Sequence, residues 1–217
     1  NTILITLVSL CVGLIAGILI AIARYGFRQM KRKAAVTWYA KLWYDICWVA
    51  DKILALYVAV IRGVPLVVQL LIMAFVVMAG FPNKIVVCCI AMGLNSAAYV
   101  SEVVRGGINA VDVGQMEAGR SLGLSTATTI FFIILPQAFK SALPALCNEG
   151  IAVLKETSIV GYIAVVDLTR ASDLVRSRTM APMMPLFFIA IVYFACVMIL
   201  SWGVGILERR LKQGDRG

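Results

Sequence analysis

Five stretches of this chain are long and apolar enough to cross a lipid bilayer, and that feature constrains everything else. Residues 1–23 carry no charge, and a span at 183–207 lies inside a charge-free run from Thr179 to Leu207. Residues 53–80 are interrupted by Arg62-Gly63-Val64-Pro65, residues 85–104 open after Lys84, and residues 139–165 hold Glu149, Lys155 and Glu156. At about 1.5 Å of rise per residue, each covers the ~30 Å of a hydrocarbon core. Hydrophobic residues make up 62% of the 217 and charged residues 14%, against roughly 45–50% and about 25% in soluble domains. A chain this short cannot hide so much apolar surface in one water-facing globule. An ordinary soluble domain, a disordered chain and a collagen-like rod are therefore excluded. The expected fold is an all-α polytopic membrane protein, one domain over residues 1–217 with five transmembrane helices.

Residues 1–23 lack a charge ahead of their apolar stretch and exceed the usual signal-peptide core of about 7–15 residues, so they read as a span. Ser121 to Phe139 is also free of charge, but its continuous apolar core is only Ile130 to Leu135, and Pro136 follows. It reads as a cytoplasmic helix ending in a proline turn. With five spans, fifteen basic residues fall in 24–52, at Arg62, in 105–140 and in 208–217, whereas Lys84, Arg170, Arg176 and Arg178 are the four on the other side. That asymmetry predicts an outside N-terminus and a cytoplasmic C-terminus. The first inner segment carries Arg24, Arg28, Lys31, Arg32 and Lys33, then Trp38, Tyr39, Trp43, Tyr44 and Trp48. Such aromatic and basic residues suit a membrane-anchoring helix at headgroup depth.

The net charge of +9 belongs to these loops rather than to a nucleic-acid surface. Six cysteines, at 11, 47, 88, 89, 147 and 196, form no Cys-x-x-Cys pair and read as small buried hydrophobes, with no metal site. Histidine is absent, which removes the commonest metal ligand and general base. No Gly-x-x-x-x-Gly-Lys-Ser/Thr loop and no Gly-x-Ser-x-Gly turn occurs, so neither a nucleotide site nor an intramembrane hydrolase is expected.

The most informative loop is 114–137. Gln115 to Leu122 makes about two helical turns, with Gly114 breaking the chain before it and Gly123 supplying a left-handed stop. Ser125 is a fair N-cap for the next helix. Glu117 and Arg120 are three apart and can pair on one face. Ala118 and Gly119 are small enough for a partner's surface to approach the backbone, while Met116 and Leu122 add apolar grip. The result is a short cytoplasmic knob, either an interfacial loop helix or a docking point for a soluble partner.

Glu117-Ala118-Gly119, Gly123 and Ile133-Ile134-Leu135-Pro136 resemble the Glu-Ala-Ala–three residues–Gly–nine residues–Ile-x-Leu-Pro loop of ABC importer permeases, with Gly119 where the family has Ala. Tyr57 to Gln69, Leu94 to Ile108, Leu143 to Glu149 with Leu154 to Ser158, and Leu168 to Ala171 are similar to successive segments of the polar amino-acid permeases in that family. Val64 stands where those permeases usually have Thr, and residues 24–52 fit poorly. The resemblance implies a type I ABC importer permease in a bacterial cytoplasmic (inner) membrane. Glu117, Ala118, Gly119, Arg120 and Gly123 would be its ATPase-coupling helix. It also implies a separate ATPase subunit dimer carrying the ATP and Mg, with no cofactor in this chain. Further implied partners are a second permease copy or relative, an extracytoplasmic solute-binding protein reaching Asp167 to Met184, and an amino-acid substrate.

Polar groups at membrane depth are costly and usually face a protein interior or a water path. Asn95, Tyr99 and Glu102 share one helix face; Asn148 with Lys155, and Glu149 with Glu156, form two adjoining rows. A zwitterion needs an acceptor for its ammonium, which Glu102 or Glu149 offers, and donors for its carboxylate, from among Asn95, Tyr99, Lys155, Thr157 and Ser158. The alternative is mutual satisfaction, Glu102 with Arg105 and Glu149 or Glu156 with Lys155. Arg62 reads as an interfacial anchor and Pro65 as a first-turn residue. The rival function is a self-powered channel or ion-coupled carrier, which would need no ATPase.

Overall fold

The computed structural model describes residues 1–29 and 37–213, and among them every regular element is helical. Lys31, Arg32, Lys33 and Arg216, counted above among the inner charges, lie outside the described residues. In chain order the helices are α1 Thr2–Gln29, α2 Trp38–Gly63, α3 Leu66–Ile72 with a π turn over Met73–Val77, α4 Lys84–Asn109 and α5 Val113–Ser121. They continue with α6 Thr126–Thr129, a π turn over Ile130–Ile134, α7 Leu135–Glu156 with a 3₁₀ extension Thr157–Ile163, α8 Leu168–Thr179 and α9 Met184–Gln213.

Four of these stretches pass alone as membrane spans by length and hydropathy: α1, α4, the continuous run Thr126–Ile163, and α9. A fifth exists only if α2 and the segment Leu66–Val77 are taken together across a bend. The break falls at Val64-Pro65. Pro65 has no N–H and pushes its predecessor out of the α region, so the chain leaves the helix at Gly63 and Pro65 stands at the N-cap of α3 with φ −58° and ψ 137°. The aromatic residues at 38–48 are helical, as expected, and run on without a break into the residues that follow. They are the first half of the helix that carries residues 53–63.

The segment around Pro136 differs from the sequence expectation. No turn interrupts the chain there; helix runs through Pro136 and also through Pro144. The π turn immediately before it explains why. Leu135 N–H bonds Ile130 O, five residues back. Widening the turn relieves the clash between the proline ring and the preceding carbonyls and leaves one carbonyl without an α partner where Pro136 has no N–H to offer. The predicted span at 139–165 is thus the second part of a longer helical run.

Helix ends are closed by side chains that the sequence places there. Asn83 Oδ1 accepts from Ile85 N at 3.0 Å and from Val86 N at 3.4 Å to start α4. Buried Asp167 accepts from Thr169 N at 3.1 Å and Arg170 N at 2.9 Å to start α8. Each such cap is worth about 1 kcal/mol.

The chain divides into two compact units. One contains Asn1–Gly13, Val64–Ser96 and Pro144–Gly217. Its core gathers Ile5, Leu70, Ala74, Val87, Cys88, Met92, Val153 and Val160, all essentially without exposed surface. Ser9 Oγ donates across this core to Cys89 O at 3.4 Å. The other contains Leu14–Gly63 and Ala97–Leu143, with Val58, Ala97, Ala98, Val100, Val104, Ile134 and Ala138 buried. In lipid such contacts stabilise through close packing and interhelical hydrogen bonds, since acyl tails are as apolar as leucine. None of the residues in the hydropathy window of α9 is buried. Cys47, Cys88 and Cys89 are buried as expected, whereas Cys11 and Cys196 are exposed on their apolar helices.

Candidate functional site

The knob helix is α5. It begins two residues earlier than the sequence suggests: Asp112, not Gly114, ends the preceding chain. Asp112 Oδ1 accepts from Gly114 N at 2.6 Å, capping the helix from outside. At the other end Gly123 has φ +82°, the left-handed conformation that an L side chain resists. Leu124 N then bonds Gly119 O at 3.1 Å and Gly123 N bonds Arg120 O at 3.0 Å, which closes the helix with paired turns. Ser125 caps α6 through Thr128 N at 3.1 Å, as its position predicts. A nine-residue helix pinned at both ends is short but rigid.

Its faces differ sharply. Glu117, Ala118, Arg120 and Leu122 are exposed, while Gly119 is buried. A Cβ at Gly119 would stand 2.6 Å from Thr129 Cγ2 and 2.8 Å from Thr129 Oγ1. The close approach that glycine permits is therefore to the chain's own α6. The expected Glu117–Arg120 pair is also replaced. Arg120 Nη1 donates to Leu124 O at 3.0 Å, so it braces the helix end. That leaves the exposed Glu117 carboxylate without an ion pair among the described residues.

Within the first unit, the break at Val64-Pro65 sets up a polar relay. Gln69 Nε2 donates to Val64 O at 2.7 Å, taking up a carbonyl where the helix is interrupted, and Asn95 Nδ2 donates to Gln69 Oε1 at 3.2 Å. Asn95 is buried by this arrangement. One residue on, Ser96 Oγ donates to Glu149 Oε1 at 2.9 Å. Lys155 is exposed, and no ion pair joins it to Glu149 or Glu156 among the described residues. Thr157 is fully buried and its hydroxyl donates to Leu154 O at 2.7 Å. Ser158 lies apart from these, lining a 260 Å³ cavity with Gly161, Tyr162, Thr169, Arg170 and Asp173.

Within the second unit, Tyr99 and Glu102 sit in a charge network. Arg105 grips Glu102 through Nη2 at 2.6 Å and Nε at 3.0 Å. Arg24 Nη1 at 3.6 Å and Arg62 Nη1 at 3.7 Å share the same carboxylate. Arg62 also lies over the Tyr99 ring, 5.3 Å from its centroid, a cation–π contact. It is thus held by protein groups rather than acting only as an interfacial anchor. Arg24 Nε reaches Asp51 Oδ1 at 3.1 Å, and Arg28 Nε reaches Asp51 Oδ2 at 3.4 Å. The Glu102–Arg105 pair was foreseeable from its i, i+3 spacing. Gln69, Ser96 and Asp51 were not singled out, and Arg24 was read only as part of a membrane-anchoring segment; the one available hint was that each is a polar residue within or beside an apolar run.

With this geometry in place, the chain can be set beside known proteins. The sequence pattern of a family described as "Binding-protein-dependent transport system inner membrane component" matches residues 39–213. The arginine transport system permease protein ArtQ of Bacillus subtilis is 36% identical over 218 residues, covering 99% of this chain and 90% of that protein. The L-cystine transport system permease protein TcyB of the same organism is 32% identical over 217 residues, covering 97% and 83%. A putative glutamine transport system permease protein GlnP of Rickettsia felis is 38% identical over 166 residues, covering 71% and 72%. Among solved structures, an amino acid ABC transporter crystallised with histidines superposes with a TM-score of 0.79 at 36% identity, covering 96% of this chain and 90% of that one. The inward-facing MetNI methionine ABC transporter superposes with a TM-score of 0.76 at 16% identity, covering 97% and 92%, a likeness of fold.

Proposed function

The chain belongs to the family of binding-protein-dependent transport system inner membrane components, and from that premise we propose that it is the permease subunit of an ABC importer, forming the transmembrane pathway for ATP-driven uptake of a polar amino acid. It is a transport subunit, and ATP is hydrolysed on a separate subunit. The observation that carries the reading is α5: a helix capped at both ends, braced by Arg120 and seated on Thr129, with Glu117 and Ala118 turned outward. A rigid knob transmits the movement of whatever grips it, whereas a flexible loop would absorb it.

The ATPase dimer would grip Glu117, Ala118 and Arg120, with Gly119 and Gly123 shaping the helix rather than touching the partner. A second permease, identical or related, would complete the pathway, and an extracytoplasmic binding protein would deliver substrate. The charge asymmetry supports an outside N-terminus and a cytoplasmic C-terminus in a bacterial inner membrane. In the first unit, Asn95, Glu149, Lys155 and Ser158 are the residues we assign to substrate, with Glu149 as the ammonium acceptor. Thr157 would join them only after giving up its bond to Leu154. In the second unit, Tyr99 and Glu102 are assigned likewise, and Glu102 would accept an ammonium by exchanging one of its arginines. Nothing observed favours a self-powered channel or ion-coupled carrier.

The test is affinity purification of the tagged chain in mild detergent, with mass identification of co-purifying protein and bound small molecules. An ABC ATPase and an amino acid are expected. Recovery of the folded chain with neither, from cells that accumulate amino acids through it, would refute the reading.

A further inference from the structure

The second unit carries more cationic than anionic groups in one small space. Among the described residues, the carboxylates that Arg24, Arg28, Arg62 and Arg105 pair with are those of Asp51 and Glu102. Four guanidiniums present roughly twenty N–H donors, whereas two carboxylates offer about eight lone-pair sites. Arg24 is buried with the two carboxylates, at 10% exposed against 13% for Asp51 and 18% for Glu102, whereas Arg28 and Arg105 are 52% and 41% exposed. The excess positive charge that reaches the surface here is therefore that of Arg28 and Arg105.

Three of the four, Arg24, Arg28 and Arg105, line one cavity of about 160 Å³, and Arg62 does not. Along α1 it is lined by Arg24, Tyr25, Arg28 and Gln29, and along α4 by Arg105 and Asn109. The spacing puts each set on one helix face. Neither carboxylate lines it. Ala21 and Ser101 complete the lining, most of whose surface is the apolar part of these side chains; the polar groups its residues carry are three guanidiniums, a phenol, a hydroxyl and two carboxamides, donors suited to a tetrahedral oxyanion beside an apolar wall.

Its depth is marked by α2. Trp38, Tyr39, Trp43 and Trp48 are exposed on that helix, and Asp51, which holds Arg24 and Arg28, follows Trp48 by one turn. Exposed tryptophans and tyrosines settle at the headgroup layer. Basic pockets between transmembrane helices on the cytoplasmic side suit lipid phosphates.

We propose that Arg24, Arg28 and Arg105, with Tyr25, Gln29 and Asn109, form a phosphate-binding pocket that holds the headgroup of an anionic phospholipid of the inner leaflet. The pocket stands on its own geometry; the choice of leaflet rests on the membrane orientation proposed above.

Native mass spectrometry of the intact transport complex, titrated with phosphatidylglycerol or phosphatidylcholine, tests the proposal. Phosphatidylglycerol should bind the wild type about tenfold more tightly or better. Arg28→Gln should reduce that preference by about fivefold, the worth of one arginine near a charged membrane surface, and Arg28→Lys should restore most of it. If millimolar inorganic phosphate displaces the lipid and binds by itself, the pocket stands and its ligand is a soluble anion. Equal binding of the two lipids by the wild type, which needs no variant to be stable, would overturn the proposal. So would an anionic preference untouched by Arg28→Gln. Protease accessibility of a tag at the C-terminus reports the orientation separately: a tag found outside would sink the leaflet assignment and leave the pocket intact.

Discussion

Replacing Gly119 by alanine would bring the loop nearer to the Glu-Ala-Ala motif it resembles, yet the substitution should impair the chain. The added Cβ would stand 2.6 Å from Thr129 Cγ2, 2.8 Å from Oγ1 and 3.3 Å from Cβ. Ordinary contact begins near 3.4 Å, so α5 and α6 must part by most of an ångström. Overpacking of this kind costs about 1–3 kcal/mol, and the better helix propensity of alanine returns about 1 kcal/mol. The net loss is up to ~2 kcal/mol, borne where α5 must stay rigid. Gly119→Ala should therefore lower substrate-stimulated ATPase activity of the reconstituted complex by several-fold and at most about twenty-fivefold, since each 1.4 kcal/mol is one decade. Thr129→Ala removes both of the closest atoms and leaves only the 3.3 Å contact. The double variant Gly119→Ala, Thr129→Ala should recover most of the activity. If Gly119→Ala is as active and as stable as wild type, or if the second substitution rescues nothing, the packing argument is wrong.

Other substitutions probe other parts of the structure. Glu102→Gln removes the charge that Arg24, Arg62 and Arg105 share, leaving Arg24 to Asp51 and Arg62 to the Tyr99 ring. Because Arg62 and Arg105 are 44% and 41% exposed, the loss should be about 2 kcal/mol rather than the 3–5 of a fully buried pair, read as a lower thermal midpoint of the purified chain; an unchanged midpoint counts against the network. Gln69→Leu removes the partner of Val64 O and of Asn95 Nδ2, at about 1–3 kcal/mol, and a variant as heat-stable as wild type would show the relay to be dispensable. Glu149→Gln keeps the acceptor for Ser96 Oγ but removes the charge, so substrate affinity should fall while the chain still inserts and assembles with its ATPase; unaltered uptake kinetics would exclude Glu149 from the pathway.

How far the sequence reached depended on the distance between interacting residues. The ends of α5 were readable because glycine and serine act on neighbouring backbone: Gly123 needed only its own φ, and Ser125 only the N–H three residues on. The Glu102–Arg105 pair was readable for the same reason. Gly119 looked like a concession to an outside partner because nothing in the chain near it announces Thr129 as the surface it meets. Arg24 and Asp51 belong to different helices, and only packing brings them to 3.1 Å. Prolines misled in one case. Pro65 broke its helix and Pro136 did not, because a π turn before Pro136 accommodates the missing donor and hydropathy patterns do not reveal π turns.

Uptake into proteoliposomes addresses the central claim most directly, with the chain reconstituted alone, with its ATPase, and with the ATPase and Glu117→Lys. Amino-acid accumulation should require ATP and the ATPase together, and Glu117→Lys should abolish it without reducing the amount of chain inserted. Accumulation by the chain alone, or full ATP-driven uptake through Glu117→Lys, would contradict a permease moved through α5.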